Sequence, residues 1–222
     1  PPRSTLFPYT TLFRSRVDLA LGGSVVNVGV IDSAGTLTLS ASTLDNRGSL
    51  RAGSTASLDL VQGLRNEQGT LSAADGLSIR SGASVINRGG LIVAGGDLDV
   101  LSTDSLDSDG LIATNGRLRL EAGQALTLAK GGAGADARLT SREGRVELGS
   151  EFVAGGNLVL DGRDGVSAAA LAAAGSLTLR STRGEVSSGA LVAKGPVSVE
   201  AAARASLAEA VFSDADVSLV GQ

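Results

Sequence analysis

The run Gly131-Gly132-Ala133-Gly134-Ala135-Asp136 comes nearest to ligand chemistry in this sequence. A GGxGxD order lets glycine turns present backbone carbonyls beside a carboxylate, and hard oxygens of that kind hold calcium. The pattern then calls for a large apolar residue where Arg138 stands, and neither flanking nonapeptide continues it, although such sites are built between tandem copies. Asp136 is thus a calcium candidate in a segment that reads first as a flexible Gly-rich loop. Asp104, Asp107 and Asp109 crowd a turn near Gly110. An EF-hand-type loop would need a ligand at Ser105 and a closing Glu at Gly116, so these three read as solvated turn carboxylates. Asp59 and Asp99 could form an acid and base pair of a polysaccharide lyase or hydrolase if they shared a column two repeats apart, at about 9 to 10 Å. Ser78 lies between them, and aromatics for sugar stacking make up only 2% of the chain.

Other chemistry is closed off by composition. His, Cys, Met and Trp are all absent, so common zinc sets, Cys-His dyads and Ser-His-Asp triads cannot be assembled within the chain, and no cofactor is expected. The net charge of −4, with no basic stripe, argues against nucleic acid as a partner. No apolar run approaches the roughly 18 residues that a membrane helix needs. These features point to a protein without catalytic residues, and to structure as the main use of its side chains.

The elements follow from what remains. Thirty-one Gly and frequent Ser, Thr, Asn and Asp mark many tight turns, while the 42% hydrophobic content is almost wholly Ala, Val, Leu and Ile. Apolar-x-apolar triplets begin at Leu37, Leu58, Leu77, Leu98, Leu118, Leu158, Leu177, Val197 and Val217, with a degenerate member at Leu139. The mean step is about 20 residues, a repeat long enough to define the architecture. A second series runs through Leu44, Leu64, Val85, Leu106, Leu126, Val146, Val166, Val186 and Leu207. A third runs through Val30, Leu50, Leu71, Leu91, Leu111, Phe152, Leu171, Leu191 and Val211, with small residues near Ala133 in its gap. Period-two alternation in each series predicts short strands, three per repeat.

Strands so short cannot bury their apolar faces inside one repeat, but stacking the repeats turns each face inward. The expectation is an all-β, right-handed parallel β-helix of three-strand coils, about 20 residues per coil and about ten coils. Leu58, Leu77, Leu98 and Leu118 are expected to stack in its core. Asn46, Asn66 and Asn87, with Asn27 before them, fall at one corner where amides can form a ladder, and Gly48, Gly69 and Gly89 follow at that turn. Leucine-rich repeats need an LxxLxLxxN string that is missing, and left-handed hexapeptide helices need 18 residues per coil. The Ala-rich run 168–174 keeps the repeat register and reads as strand and corner.

The units LDNRGSLRAG (44–53), VINRGGLIVAGGDLDV (85–100) and LDSDGLIATNGRLRL (106–120) resemble the repeats of filamentous haemagglutinins and related two-partner-secretion exoproteins, which include adhesins and the shafts of contact-dependent inhibition toxins. The resemblance covers about residues 17–222 and is most specific from 44 to 120. It implies export through an outer-membrane transporter partner, display at the surface of a Gram-negative bacterium or secretion from it, and contact with a host or bacterial cell-surface receptor. A passive spacer that presents a toxin domain is the alternative it leaves open. Residues 1–16 break from this pattern, holding three of the four Pro and the single Tyr. They read as a non-native segment, similar to translated adapter read-through, or as a disordered tail, with the β-helix repeat domain at 17–222 an internal fragment of a longer protein.

Overall fold

A computed structural model describes Ser4–Thr5 and residues 15–221, and these contain strands and turns but no helix. Most of the segment 1–16 lies outside the described residues; Ser4–Thr5 pairs with Val25 and Val26, and a strand begins at Arg16. The strands pair in parallel with partners about one repeat away, as in Leu77, Leu98 and Leu118 or Val85, Leu106 and Leu126. The chain is therefore a parallel β-solenoid of about ten coils, each of roughly 20 residues. Each coil contributes one strand to each of three sheets, which enclose a core of mostly aliphatic columns.

In the first sheet each strand points three residues inward. One column runs Leu37, Ala56, Leu77, Leu98, Leu118, Ala137 and Leu158, and its neighbour runs Leu39, Leu58, Ile79, Val100, Leu120, Leu139 and Leu160. Two expectations change here. Leu58 stacks on Leu39 and Ile79 and not on Leu37 and Leu77, and Leu139 is a full member of the second column. The cause is the order of sizes within a strand. Ala56-x-Leu58-x-Leu60 and Ala137-x-Leu139-x-Ser141 open on the small residue, so a triplet chosen by bulk starts two places late and keeps its face while changing its column.

The second sheet stacks Leu44, Leu64, Val85, Leu106, Leu126, Val146, Val166 and Val186 as read, begins one coil earlier at Val25, and ends on Ala205, because Leu207 belongs to the adjoining corner column. In the third sheet the inward residues are Ile31, Leu50, Leu71, Ile92, Ile112, Gly131, Phe152, Leu171 and Leu191. Val30, Leu91 and Leu111 sit one place earlier and face outward. Where two apolar residues are adjacent, alternation alone fixes the strand but not the face. The small residue that marks the gap is Gly131, while Ala133 belongs to a separate column of small residues with Ala94, Thr114 and Ala154.

Candidate functional site

The corner between the second and third sheets begins with Asn27, Asn46, Asn66 and Asn87, each at most 2% exposed. A buried amide must find partners for both its ends. Here Asn27 Nδ2 donates to Asn46 Oδ1, Asn46 to Asn66 and Asn66 to Asn87, each at 2.7 Å, and Asn87 donates to Ser108 Oγ at 2.9 Å. The same Nδ2 atoms reach carbonyls of the turn, as from Asn66 to Gly69 at 3.1 Å. Past Ser108 the column becomes Leu128, Leu148 and Ala168, then Ser188 and Leu207.

Gly48 and Gly69 share a column whose next member is Gly90, not Gly89, since the amides of Thr70, Leu91 and Leu111 bond the carbonyls of Gly48, Gly69 and Gly90 in turn. Two corners hold one extra residue, Gln68 and Gly89, with φ of 56° and 58°. That left-handed backbone absorbs the insertion, which is why coil length varies without loss of register. A second polar corner, formed by Ser81 and Ser102, was not anticipated. Its buried hydroxyls donate to the carbonyls of Gln62 and Ala83, at 3.0 and 2.7 Å. The signal for it is a Ser recurring two places after the second inward aliphatic of the strand.

Along the opposite edge, where the chain enters the first sheet, a groove of about 870 Å³ runs along the solenoid from Arg16 to Val159. At about 4.8 Å per coil its length is on the order of 30 Å. Hydroxyls line one end, at Thr36, Thr38, Thr55, Ser57 and Ser78, and charged side chains line the other, at Asp97, Asp99, Arg117, Arg119, Asp136 and Arg138. Residues just before the strand cap the coil above. Asp97 Oδ1 accepts the Arg117 backbone amide at 2.8 Å, and Asp97 Oδ2 accepts its guanidinium at 2.9 Å. The backbone bond first, then the side-chain bond, holds the Asp97 carboxyl below the usual carboxylate range. Asp136 accepts the Asn157 amide at 2.7 Å, and Asn157 Oδ1 accepts the Ser176 amide at 2.9 Å.

This geometry locates the other candidates. Asp136 is spent on coil capping and lies among Arg117, Arg138 and Asn157. Asp107 faces Arg88 at 3.9 Å, and Asp109 accepts the Gly89 amide at 2.6 Å. Among the described residues no group of three or more carboxylates is placed to hold a metal ion. The column shared by Asp59 and Asp99 does not exist: Asp59 lies between Ser40 and Arg80, and Asp99 between Ser78 and Arg119. The two-residue shift at Leu58 that moved the core column moved Asp59 with it, so the proposed acid and base pair shares a face but no column.

Glu121 is a further residue that sequence reasoning missed. It lies on the outer face, yet is only 7% exposed, beneath the Arg119 and Arg142 guanidinium groups. Burial pushes its carboxyl up, but the hydrogen bonds from Arg119, at 2.6 Å, and from Arg142 outweigh that and hold it below its ordinary value. It serves as an internal tie between successive coils.

Comparison with curated proteins and with solved structures finds no match. The family model for the haemagglutinin repeat matches residues 15–81, 32–162 and 153–209. Those spans run through nearly all of the solenoid and carry its columns, corners and groove, and the chain belongs to the haemagglutinin repeat family.

Proposed function

We propose that this chain is a structural and adhesive shaft of an exported Gram-negative surface protein, which makes or presents contact with host or neighbouring cells. The observation that carries the reading is the haemagglutinin repeat extending along one uninterrupted solenoid, a family of structural and adhesive proteins. A rod whose coils touch only their neighbours gains reach by adding coils, and it offers ligands broad faces in place of a pocket. The axial groove lines part of that surface with hydroxyl, carboxylate and guanidinium groups, and an extended polymer on a cell surface is the shape of ligand it suits.

Within this reading the protein leaves the cell through an outer-membrane transporter partner, and its receptor is a surface molecule of another cell. Retention of purified protein on intact cells tests the adhesive part. Binding above that of an unrelated β-solenoid rod, lost on Arg119→Ala with Thr38→Val, is the expected result. Equal retention of the two rods would favour a passive spacer that presents a domain elsewhere, which is the second reading. Release of reducing ends or unsaturated products from pectin, alginate or chitin would replace both with a catalytic one.

A further inference from the structure

The outward residues of the third sheet differ from those of the first. A column in the first sheet is polar, with Thr38, Ser57, Ser78, Asp99 and Arg119. Its counterpart in the third sheet runs Val93, Ala113, Gly132, Val153, Ala172, Val192 and Phe212, with no polar side chain across seven coils. Val153 is 50% exposed and Val192 44%. Such a stripe on a parallel sheet, whose backbone groups are already paired, has no cleft for a small molecule and calls for another flat surface.

The order of sizes along the stripe identifies that surface. A two-fold axis along the strand direction, passing between the coils of Gly132 and Val153, lays the face on itself with coil order reversed. It sets Val93 against Val192 of a second copy, Ala113 against Ala172, and Val153 against Gly132, so the one protruding side chain at the centre meets the one position that has none. In the adjacent outward column the same operation sets Leu111 against Ala170, and Lys130 against Glu151. Lys130 and Glu151 are both exposed, and among the described residues neither makes an ion pair, whereas many of the other charged side chains are paired. Across the axis they would form two equivalent pairs, an isologous arrangement of the kind closed dimers use.

We propose that this face pairs laterally and antiparallel with the same face of a second copy of the chain. The six coils paired in this way, at about 4.8 Å each and two outward columns wide, cover on the order of 300 Å² per copy, well under the roughly 800 Å² per partner of a standard stable interface. The contact is therefore weak between short shafts. The inference is independent of the adhesive reading, since it concerns shaft against shaft and uses a different face from the groove.

Sedimentation of the full chain from about 10 µM to about 1 mM tests it. The expected result is a reversible monomer to dimer shift that Val153→Asp abolishes while the far-ultraviolet β-sheet spectrum stays unchanged. Lys130→Glu or Glu151→Lys alone should weaken the dimer about tenfold by facing like charges, and the double exchange should restore it. Because the chain has no cysteine, register can be read separately. A mixture of Val93→Cys and Val192→Cys proteins should crosslink on oxidation, and neither should crosslink with itself. A chain that stays monomeric throughout, a double exchange no tighter than the single variants, or self-crosslinking of Val93→Cys would each overturn the proposal.

Discussion

Asn66 donates to Asn87 Oδ1 and to the carbonyls of Gly69 and Leu91, and it accepts from Asn46 Nδ2, all inside the wall of the solenoid. Asn66→Ala leaves Asn87 Oδ1 without its donor and leaves Asn46 Nδ2 only the Gly48 and Thr70 carbonyls, at 3.3 and 3.2 Å. An orphaned buried group costs about 1 to 3 kcal/mol, so the variant should lose about 1 to 3 kcal/mol in urea unfolding. Ser188 occupies the same column, but its hydroxyl has no partner and its neighbours are Ala168 and Leu207. Ser188→Ala removes an unpaired group and should gain about 1 kcal/mol. Opposite signs at two positions of one column would identify hydrogen bonding, and not residue size, as what the corner selects; equal losses would contradict that. Glu121 gives a second prediction at this scale. Its folded carboxyl titrates below its ordinary value of 4.5, so the stability it adds is present above that pH and is lost as pH falls through the folded value. Glu121→Gln should therefore be less stable than the parent by about 1 kcal/mol at pH 7, and the difference should close as pH falls below 4.5 through the folded value. A gap that stays constant between pH 7 and pH 3 would assign the tie to packing in place of charge.

Within the third sheet, one element carries its partner's missing volume. A Cβ added at Gly131 would lie 2.7 Å from Leu128 Cδ2 and 2.8 Å from the Ile112 carbonyl oxygen, and Phe152 in the next coil fills the space beside it, at 1% exposure. Phe152→Leu should cost about 1 to 2 kcal/mol and Gly131→Ala about 1 to 3 kcal/mol, by loss of volume and by overpacking respectively. Together they should cost less than the separate losses combined, because the smaller side chain makes room for the new methyl group; a double-mutant cycle by chemical denaturation measures this coupling, and strict additivity would refute it. The strands themselves were legible from the sequence because a 20-residue period and an inward-outward alternation both leave marks in residue type. Column membership was only partly legible. At Ala56 and Ala137 the period is kept but the bulk is displaced by two residues, and at Leu91-Ile92 and Leu111-Ile112 two apolar neighbours compete for one inward place. In the third sheet a better signal is a large residue followed two places later by Ala, as in Leu50 and Ala52, Ile92 and Ala94, or Phe152 and Ala154. The axial groove was not legible as a groove, because its lining joins residues about 20 positions apart that precede the first-sheet strands to the outward column of those strands. Glu121 escaped for the same reason, since both of its arginines are unremarkable until the coils are stacked.

Across the whole molecule, every coil is bound to the one before it and the one after it, and the first-sheet strands Leu158–Gly162, Leu177–Ser181 and Val197–Ala201 pair only in that order. A solenoid of this kind has stability that is a sum of coil and interface terms, with no long-range closure to break. Removal of residues 177–196 joins Ser176 to Val197, so that Ser176 takes the place of Pro196 before the inward column, and brings Val197 onto Leu158. The corners then bring Leu171 onto Val211 and Ala168 onto Leu207, apolar on apolar in each case. The shortened chain should fold with an unchanged β spectrum and a denaturant slope lower by about a tenth, since the slope follows the surface exposed on unfolding. Removal of residues 187–196 alone takes half a coil, puts Val197 in the place of Ser187 within the second sheet, and breaks the stacking of every coil after it. That variant should lose the cooperative transition over its C-terminal part and expose apolar surface to a fluorescent dye. If the half-coil deletion unfolded as cooperatively as the whole-coil deletion, vertical register between coils would not be what holds this shaft together.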